Sequence, residues 1–359
     1  MNPAAGRKKG GIRMKKLICL LLAALCLAFG AAAEEPAAYT SGDYEYVLHV
    51  DGSAEITAYT GDAAELEIPA ALDGHAVTAI GPEAFYRRDS LAGVTIPNSV
   101  TTLTGNPFSY CERLTEIRVS PDHPALEVVD GVLFGRQDKR LICCPYALAG
   151  ESYAIPRGTR IIGENAFFHC DSLLSVTVPD GVTEIGDQAF CSCWDLAGIT
   201  LPEGVTTIGY QAFFQCFDLA AVTLPEGLTA IGDSAFDSCF SLAGITIPGS
   251  VTAIGESAFS VCDSLVSVTV PDGVTRIRDW TFFYCDSLTS VVLPDSVTQI
   301  GTNAFANCPS LAAVNLPAGV AAIGEEAFAD CPLLTLTVTR GSYAERYCRD
   351  NGLAYAYAD

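Results

Sequence analysis

The amino-acid sequence predicts an α/β solenoid, in which short coils stack on one another around a continuous apolar core. Three observations support this prediction. A pattern of 23 residues recurs eight times without insertion or deletion between residues 162 and 331. Each copy contains an alternating run of β-branched residues that ends in proline, and each then places phenylalanine and cysteine at helical offsets. A unit of this size cannot bury its own apolar face, so neighbouring copies must stack.

Three positions keep the same apolar residue in every copy of the repeat. The isoleucine column comprises Ile162, Ile185, Ile208, Ile231, Ile254, Ile277, Ile300 and Ile323. The phenylalanine column comprises Phe167, Phe190, Phe213, Phe236, Phe259, Phe282, Phe305 and Phe328. The cysteine column comprises Cys170, Cys193, Cys216, Cys239, Cys262, Cys285, Cys308 and Cys331, and Cys111 occupies the same position upstream. We expect these side chains to fill the interior of each coil.

The copy at residues 173–193 illustrates the local structure that the repeat predicts. Val176 and Val178 alternate with polar residues, which indicates a parallel β-strand with one buried face. Pro179 lacks an amide hydrogen and ends the strand. Phe190 and Cys193 are three residues apart, so we expect a short helical turn on the other side of the coil. Such a turn is too short to be stable alone and depends on packing.

The chain divides into four predicted parts. Residues 1–33 have the features of a secretory signal peptide, with a basic segment at the better start codon Met14, a short apolar run and three alanines. The other parts are an N-terminal β-hairpin cap at residues 34–65, a solenoid at 66–338 with a hairpin insertion at about 119–152, and a C-terminal helical cap at 339–359. We expect a secreted or cell-surface monomer without a membrane span once the signal is removed.

The charge of the chain limits its possible partners. The formal net charge is −22. Loss of residues 1–33 leaves 14 basic and 42 acidic residues and a net charge of −28. Nucleic-acid binding requires clustered lysine and arginine, so we expect no nucleic-acid partner.

Many of the acidic residues follow the repeat glycine or the repeat proline. After the glycine stand Glu164, Asp187, Asp233, Glu256, Asp279 and Glu325. This pattern allows two interpretations, a cation-binding stripe or carboxylates that cap the unpaired amide groups of a turn. We favour capping, because calcium-binding repeats place paired acids within each loop and this repeat does not.

Thirteen cysteines remain after loss of the signal peptide, which is an odd number. Nine of them occupy one repeat position, and this regularity indicates buried thiols that serve packing. Adjacent coils bring such residues about 4.8 Å apart, so a ladder of disulfides is the alternative. A column of single cysteines does not resemble a metal site.

The sequence contains no recognisable catalytic or cofactor-binding motif. Its four histidines, His49, His75, His123 and His169, have no partners at a known catalytic spacing. Nucleophile elbows, phosphate-binding loops and dinucleotide fingerprints are absent. We therefore expect a protein that is not an enzyme and that needs no cofactor and no metal.

The surface residues of the repeat offer one candidate binding site. The outward face of the predicted sheet carries threonine, glycine and alanine, without the aromatic and arginine residues that dominate binding energies. By contrast, the position after the cysteine column carries Trp194, Phe217 and Phe240 in three successive coils. This aromatic strip could stack on sugars or anchor a protein. The alternative is that the three rings cover the edge of the core.

The repeat L-x-x-V-T-[IVL]-P-x-x-V-T-x-I-G-x-x-A-F-x-x-C resembles the BspA-like (TpLRR-type) leucine-rich repeat family of bacterial surface proteins. The resemblance includes the segment DGVLF at 130–134 and the C-terminal segment GSYAERYCRDNG at 341–352. It implies a leucine-rich-repeat horseshoe with a parallel sheet, and a non-catalytic adhesin-like scaffold that binds extracellular protein or glycan on host or neighbouring cells. Arg278 and Thr281 depart from the pattern, at the glycine and alanine positions. Two alternatives are a structural envelope spacer without a specific ligand and an accessory carbohydrate-binding protein.

Overall fold

The computed structural model describes residues 37–146 and 150–358. The predicted signal peptide lies outside the described residues. Three consecutive antiparallel strands begin the described chain: β1 (Tyr39–Ser41), β2 (Tyr44–Leu48) and β3 (Ala54–Tyr59). Strand β3 then pairs in parallel with β6 (His75–Ile80), which also pairs with β5 (Ala71–Leu72) and β8 (Thr102–Leu103). The opposite side of these coils is a parallel sheet of β4 (Glu65–Glu67), β7 (Gly93–Thr95) and β9 (Glu116–Arg118).

The interruption of the repeat contributes three strands, where the sequence predicts a two-stranded hairpin. They are β10 (Leu126–Val129), β11 (Val132–Gly135) and β12 (Arg140–Cys143). The predicted first run divides at Asp130 and Gly131, whose φ angles of 48° and 82° form a tight turn. Strand β12 pairs in parallel with residues Ile161 and Ile162, where the regular isoleucine column begins. On this side of the stack the insertion therefore takes the place of one coil.

With the exception of the coil that contains residues 244–246, each regular coil contributes two strands, one to each of two parallel ladders. The strand ladder comprises β13 (Ser152–Ala154), β15 (Ser175–Thr177), β17 (Gly198–Thr200), β19 (Ala221–Thr223), β22 (Ser267–Thr269), β24 (Ser290–Val292), β26 (Ala313–Asn315), β28 (Thr335–Val338) and β29 (Tyr355–Tyr357). The isoleucine ladder comprises β14 (Ile161–Ile162), β16 (Glu184–Ile185), β18 (Thr207–Ile208), β20 (Ala230–Ile231), β21 (Ala253–Ile254), β23 (Arg276–Ile277), β25 (Gln299–Ile300) and β27 (Ala322–Ile323). Partners such as Ile185 and Ile208 are one repeat apart. The fold is therefore a parallel β-solenoid.

The prediction of a helical turn in every coil is wrong. In the copy at 186–193, Gln188 and Ser192 adopt left-handed φ angles of 53° and 59°, which a helix does not contain. The left-handed residues turn alternate amide groups outward, so the N–H groups of Gln188, Phe190 and Ser192 donate to carbonyls of the next coil at 2.7–2.8 Å. The same bonds recur in the other regular coils and form a third ladder, here called the turn ladder. An eight-residue helix, α1 (Tyr343–Asp350), follows the stack.

The phenylalanine column forms a continuous stack of rings inside the coils. The ring centroids of Phe190, Phe213 and Phe236 are 5.3 and 5.2 Å apart, and their planes differ by only 4° and 2°. These three rings are completely buried. Because each ring contacts one ring above and one below, the column joins the interior of successive coils into one core.

The cysteine column connects coils through its thiols. The Sγ of Cys216 donates to the carbonyl of Phe190 in the preceding coil at 3.1 Å, and seven other cysteines repeat this contact at 3.0–3.2 Å. The cysteines of the described chain are free thiols, in agreement with the packing interpretation and not with a disulfide ladder. Burial raises the pKa of Cys216 well above its usual value. Cysteine suits this position because it is small and carries a weak donor.

Both strand-based ladders are interrupted between residues 244 and 278, and the break in the isoleucine ladder lies at Arg278. Residues 244–246 form no strand, and β21 does not pair with β23. The equivalent glycines lie so close to the preceding coil that a Cβ on Gly255 would stand 2.4 Å from the nitrogen of Asp233. Arg278 carries a Cβ at this position, and its N–H does not donate to the carbonyl of Ile254 as Gly301 donates to Ile277; we attribute the gap in the isoleucine ladder to this Cβ. The turn ladder continues across the gap, where Ser257 donates to Asp279 at 3.0 Å.

Candidate functional site

The outward face of the strand ladder is as plain as the sequence predicts. Side chains such as Thr177, Thr200 and Thr223 point outward and line a shallow concavity of about 540 Å³. Its lining includes no aromatic ring and no basic side chain. This face offers small hydroxyl and methyl groups, which give a ligand little to bury.

The structure brings the three residues of the predicted aromatic strip together. The centroids of Trp194 and Phe217 are 5.9 Å apart, and those of Phe217 and Phe240 are 4.9 Å apart. Phe217 and Phe240 are only 3% and 8% exposed, because they close the edge of the core beside the turn. These two rings are therefore not available as a stacking surface. Trp194 is partly exposed, and the prediction of a binding role now depends on this residue.

Trp194 belongs to a second group of rings that the strip does not include. This aromatic patch consists of Tyr86, Tyr110, Tyr146, Phe168 and Trp194, all partly exposed, around the almost buried ring of His169. His169 lies between Tyr110 and Trp194, with centroid distances of 4.3 and 4.9 Å. Tyr110 also contacts Tyr86 at 5.2 Å and Phe168 at 5.1 Å.

The interruption of the repeat creates the aromatic patch. Tyr110 and His169 occupy the same left-handed position of two coils that are 59 residues apart in sequence, with φ angles of 61° and 59°. These coils are neighbours on the turn side, where Asn106 Nδ2 donates to the carbonyl of Asn165 at 2.9 Å. This contact is not evident from the sequence, because the insertion separates the two coils by 36 residues more than one repeat. An alignment of the repeats across the insertion could have placed Tyr110 beside His169.

Several polar groups of the patch are buried or held close to the rings. Nδ1 of His169 and Nε1 of Trp194 are buried and have no hydrogen-bond partner among the described residues. His169 is 9% exposed, and its Nδ1 lies 3.8 Å from Asp171 Oδ2, too far for a hydrogen bond. The hydroxyl of Tyr146 donates to Asp171 Oδ1. Burial and this carboxylate together raise the pKa of Tyr146.

The other end of the patch has a cationic edge. The guanidinium of Arg87 lies 5.5 Å from the ring centre of Tyr86 and 5.2 Å from that of Tyr110. Burial, with the neighbouring Tyr86, raises the pKa of Tyr110 to about 12. The patch thus offers ring faces between a guanidinium at one end and the carboxylate of Asp171 at the other, an arrangement suited to a ligand that is both polar and ring-shaped.

The acidic residues after the repeat glycine act as caps across coils. Asp187, Asp233 and Asp279 accept the backbone N–H of Tyr210, Glu256 and Thr302 at 2.7, 2.8 and 2.9 Å. Each capped amide belongs to the following coil, whereas the sequence suggests a cap within the same turn. Among the described residues, no group of three or more histidines, cysteines and acids could hold a metal ion.

Comparison with known proteins identifies the family. A profile described as "BspA type Leucine rich repeat region" matches residues 64–128, 146–263 and 229–348 in six copies. The chain belongs to the BspA-type leucine-rich repeat family. A comparison with functionally curated proteins gives no match.

Several solved bacterial structures resemble this BspA-type protein. A leucine-rich repeat protein from Eubacterium ventriosum shares 20% identity over 77% of this chain and 96% of its own, with a TM-score of 0.60, which supports the fold. A leucine-rich cell surface protein from Faecalibacterium prausnitzii shares 29% identity over 91% of this chain and 96% of its own, with a TM-score of 0.43. The leucine-rich repeat protein of T. pallidum shares 25% identity over 76% of this chain and 90% of its own, with a TM-score of 0.32.

In the described part of this BspA-type chain, no helix combines the length and the apolar character needed to cross a bilayer.

Proposed function

We propose that this protein is a non-catalytic, secreted or cell-surface scaffold that binds an extracellular protein or glycan through the aromatic patch. The observation that carries the proposal is the group of partly exposed rings around His169, with unpartnered polar atoms on His169 and Trp194. Partly exposed aromatic rings that are grouped on a surface are typical of sites that stack on a ligand. The contact between Tyr110 and His169 forms where the repeat is interrupted, so the patch is not a part of the regular core that every coil repeats.

The rest of the chain supports a scaffold role. Isoleucine, phenylalanine and cysteine are buried, proline and glycine make turns, and the acids cap amide groups of the next coil. Export is supported by the apolar run and alanines of residues 1–33. An adhesin-like role on host or neighbouring cells is the form of binding that the family suggests.

Two other functions are consistent with particular features. A structural envelope spacer would suit the plain outward face of the strand ladder. An accessory carbohydrate-binding protein would use the same rings of the aromatic patch, with Asp171 and Tyr146 as hydrogen-bonding groups for sugar hydroxyls. The three functions predict different ligands or none, so one binding screen can distinguish them.

The test is a binding screen of the purified protein against arrays of extracellular-matrix proteins, mucins and glycans. We expect a ligand whose affinity falls by about tenfold or more in Trp194→Ala and in Tyr110→Ser. Serine is suitable at position 110 because Ser192 and Ser238 adopt the same left-handed conformation in other coils. Trp280→Ser, at a left-handed position of a distant coil where the equivalent residue one coil earlier is Ser257, is the matched control and should bind normally.

The outcomes of the screen are distinct. Unchanged binding by Trp194→Ala and Tyr110→Ser, with or without a loss of thermal stability, would remove the aromatic patch as the site. Silence on every array would favour the spacer. Immunoblotting of cell fractions tests the predicted location, and retention inside the cell would contradict export.

A further inference from the structure

Among the described residues, the turn ladder ends at the last coil with backbone donors that have no acceptor. In each regular coil three alternate N–H groups donate to the next coil, as Asn303, Phe305 and Asn307 do at 2.8–3.0 Å. The equivalent N–H groups of Phe328 and Asp330 have no acceptor among the described residues. Strand β29 extends the strand ladder beside this coil, and helix α1 contacts the coil through Tyr347, whose ring centre lies 6.4 Å from that of Phe328, but neither element accepts the N–H groups of Phe328 and Asp330.

The other end of the stack is different. There the first coil is covered on its turn side by strand β3, because the N–H of Tyr59 donates to the carbonyl of Ala84 at 2.7 Å. The first coil thus has a partner that satisfies its outward-facing carbonyl. An unpaired row of backbone donors, like the edge of a sheet, is a template for another extended chain.

A groove of about 640 Å³ lies directly beside the open donors. Phe328, Asp330 and Pro332 of the last coil line it, together with Pro309 and with Leu353 beyond α1. Its far side is formed by Tyr284, whose side chain is 41% exposed, and by Asp286. The groove therefore combines an aromatic ring, two prolines and two carboxylates.

The charge of the groove selects the kind of side chain that it could accept. Asp286 and Asp330 are its ionisable acids, and its lining includes no lysine, arginine or histidine. The whole chain is strongly acidic as well. A cationic side chain would be attracted to both carboxylates and could lie against the ring of Tyr284.

We propose that this groove binds an extended peptide segment that carries lysine or arginine. Backbone carbonyls of the segment accept the N–H groups of Phe328 and Asp330 and so extend the turn ladder by one strand. A basic side chain of the same segment lies between Tyr284 and the carboxylates of Asp286 and Asp330. The partner is thus a basic segment of another protein, and the site is independent of the aromatic patch.

The first measurement is fluorescence anisotropy with two labelled decapeptides, one of alternating lysine and valine and one of alternating glutamate and valine. We expect the lysine peptide alone to bind, with weaker binding as salt is raised. Tyr284→Ser and Asp330→Asn should each weaken it by about tenfold. Asparagine is compatible with the left-handed φ of 53° at position 330. Trp280→Ser is the matched control and should bind the peptide normally, because Trp280 does not line the groove and Ser257 adopts the same left-handed conformation at the equivalent position of the preceding coil.

The second measurement is amide hydrogen exchange with and without the lysine peptide. We expect slower exchange at Phe328 and Asp330, and no change at Phe190 and Ser192, whose N–H groups already have acceptors. Absence of binding, equal binding of the glutamate peptide, or binding without protection of these two amides would overturn the proposal. None of these results bears on the aromatic patch, which the array screen tests separately.

Discussion

Phenylalanine and cysteine are fixed in the repeat because each side chain contacts two coils at once. A ring of the phenylalanine column stacks on the rings above and below it, and a cysteine thiol donates to a carbonyl of the preceding coil. Both roles could be predicted in part from the sequence, since the spacing indicates buried positions. The thiol contact could not, because it depends on the backbone of a different coil.

Removal of one ring from the middle of the phenylalanine column should be costly. Phe236→Ala leaves a cavity between Phe213 and Phe259, whose centroids lie 5.2 and 5.5 Å from it, and should reduce the free energy of unfolding by about 3–5 kcal/mol. Phe328→Ala should cost less, because Phe328 has one stacked neighbour and a more distant edge contact with Tyr347.

Urea denaturation of both variants checks this prediction. Phe328 is the terminal ring to compare, because Phe85, in the first coil, is fully buried between Tyr59 and Phe108. Equal losses of stability at Phe236 and Phe328 would contradict the two-sided stacking argument.

The buried thiols should make the protein less stable in alkali. Burial raises the pKa of Cys191 to about 12 from an ordinary value of 9.0, and it raises the pKa of Cys239 as well. Above pH 9 the unfolded chain releases thiol protons that the folded chain retains, so the free energy of unfolding falls as pH rises. This stabilisation is complete below pH 9 and is lost progressively between pH 9 and about 12. Urea midpoints measured under reducing conditions at about pH 8, 9 and 10 test the effect, and a constant midpoint would contradict it.

At the scale of the structural element, the turn segment shows where the sequence analysis failed and why. Phe190 and Cys193 are three residues apart, as in a helix, but left-handed residues at 188 and 192 direct alternate amides to the next coil. Backbone hydrogen bonds between neighbouring coils replace the hydrogen bonds within a helix. The spacing of apolar residues in the sequence is the same in both arrangements and cannot distinguish them. The break at Arg278 is easier to relate to the sequence. Arginine replaces the repeat glycine there, and the structure shows that the isoleucine ladder loses its pairing at this coil.

Replacement of Arg278 by glycine should restore the isoleucine ladder. Arg278→Gly removes the Cβ that holds the coil away, so its N–H can donate to the carbonyl of Ile254 as Gly301 donates to Ile277 at 2.8 Å. We expect slower amide exchange at position 278 and a gain of about 1 kcal/mol in unfolding free energy.

Arg278→Ala is the control for this experiment. It removes the same charge, which lies 3.9 Å from Asp233, but it keeps the Cβ. Hydrogen exchange that slows equally in both variants would show that charge, and not close approach, causes the gap.

At the scale of the whole molecule, a strict period of 23 residues makes the stack modular. The sequence predicts this architecture well because every coil repeats the same buried residues in the same register. It predicts the proposed binding surfaces poorly. The aromatic patch joins Tyr110 and His169 across an insertion, and the groove beside Tyr284 is lined in part by Leu353, whose position after the helix the repeat does not predict. Contacts between distant segments are set by the fold and leave no periodic signal.

Deletion of one complete coil should therefore be tolerated. Removal of residues 207–229 lets Ile231 pair with Ile185, in the register that Ile208 now uses. We expect a folded protein whose melting temperature falls by only a few degrees, because each coil contacts only its neighbours. Removal of residues 207–226, which breaks the period, should prevent cooperative melting. Circular dichroism of both deletions measures the difference, and equal behaviour would argue against stacking in fixed register.

The left-handed positions of the turn ladder have a consequence for how such proteins diversify. The backbone there is held by bonds between coils, and the positions accept residues as different as Gln188, Trp280, Tyr110 and Val261, all with φ between 51° and 61°. Each coil therefore has two positions whose side chains can differ while its apolar columns and backbone hydrogen bonds stay the same, and at some of these positions, such as Tyr284, the side chain is exposed. A lineage that lengthens by duplicating coils gains such positions at the same time, and can alter its recognition surface without redesigning its fold.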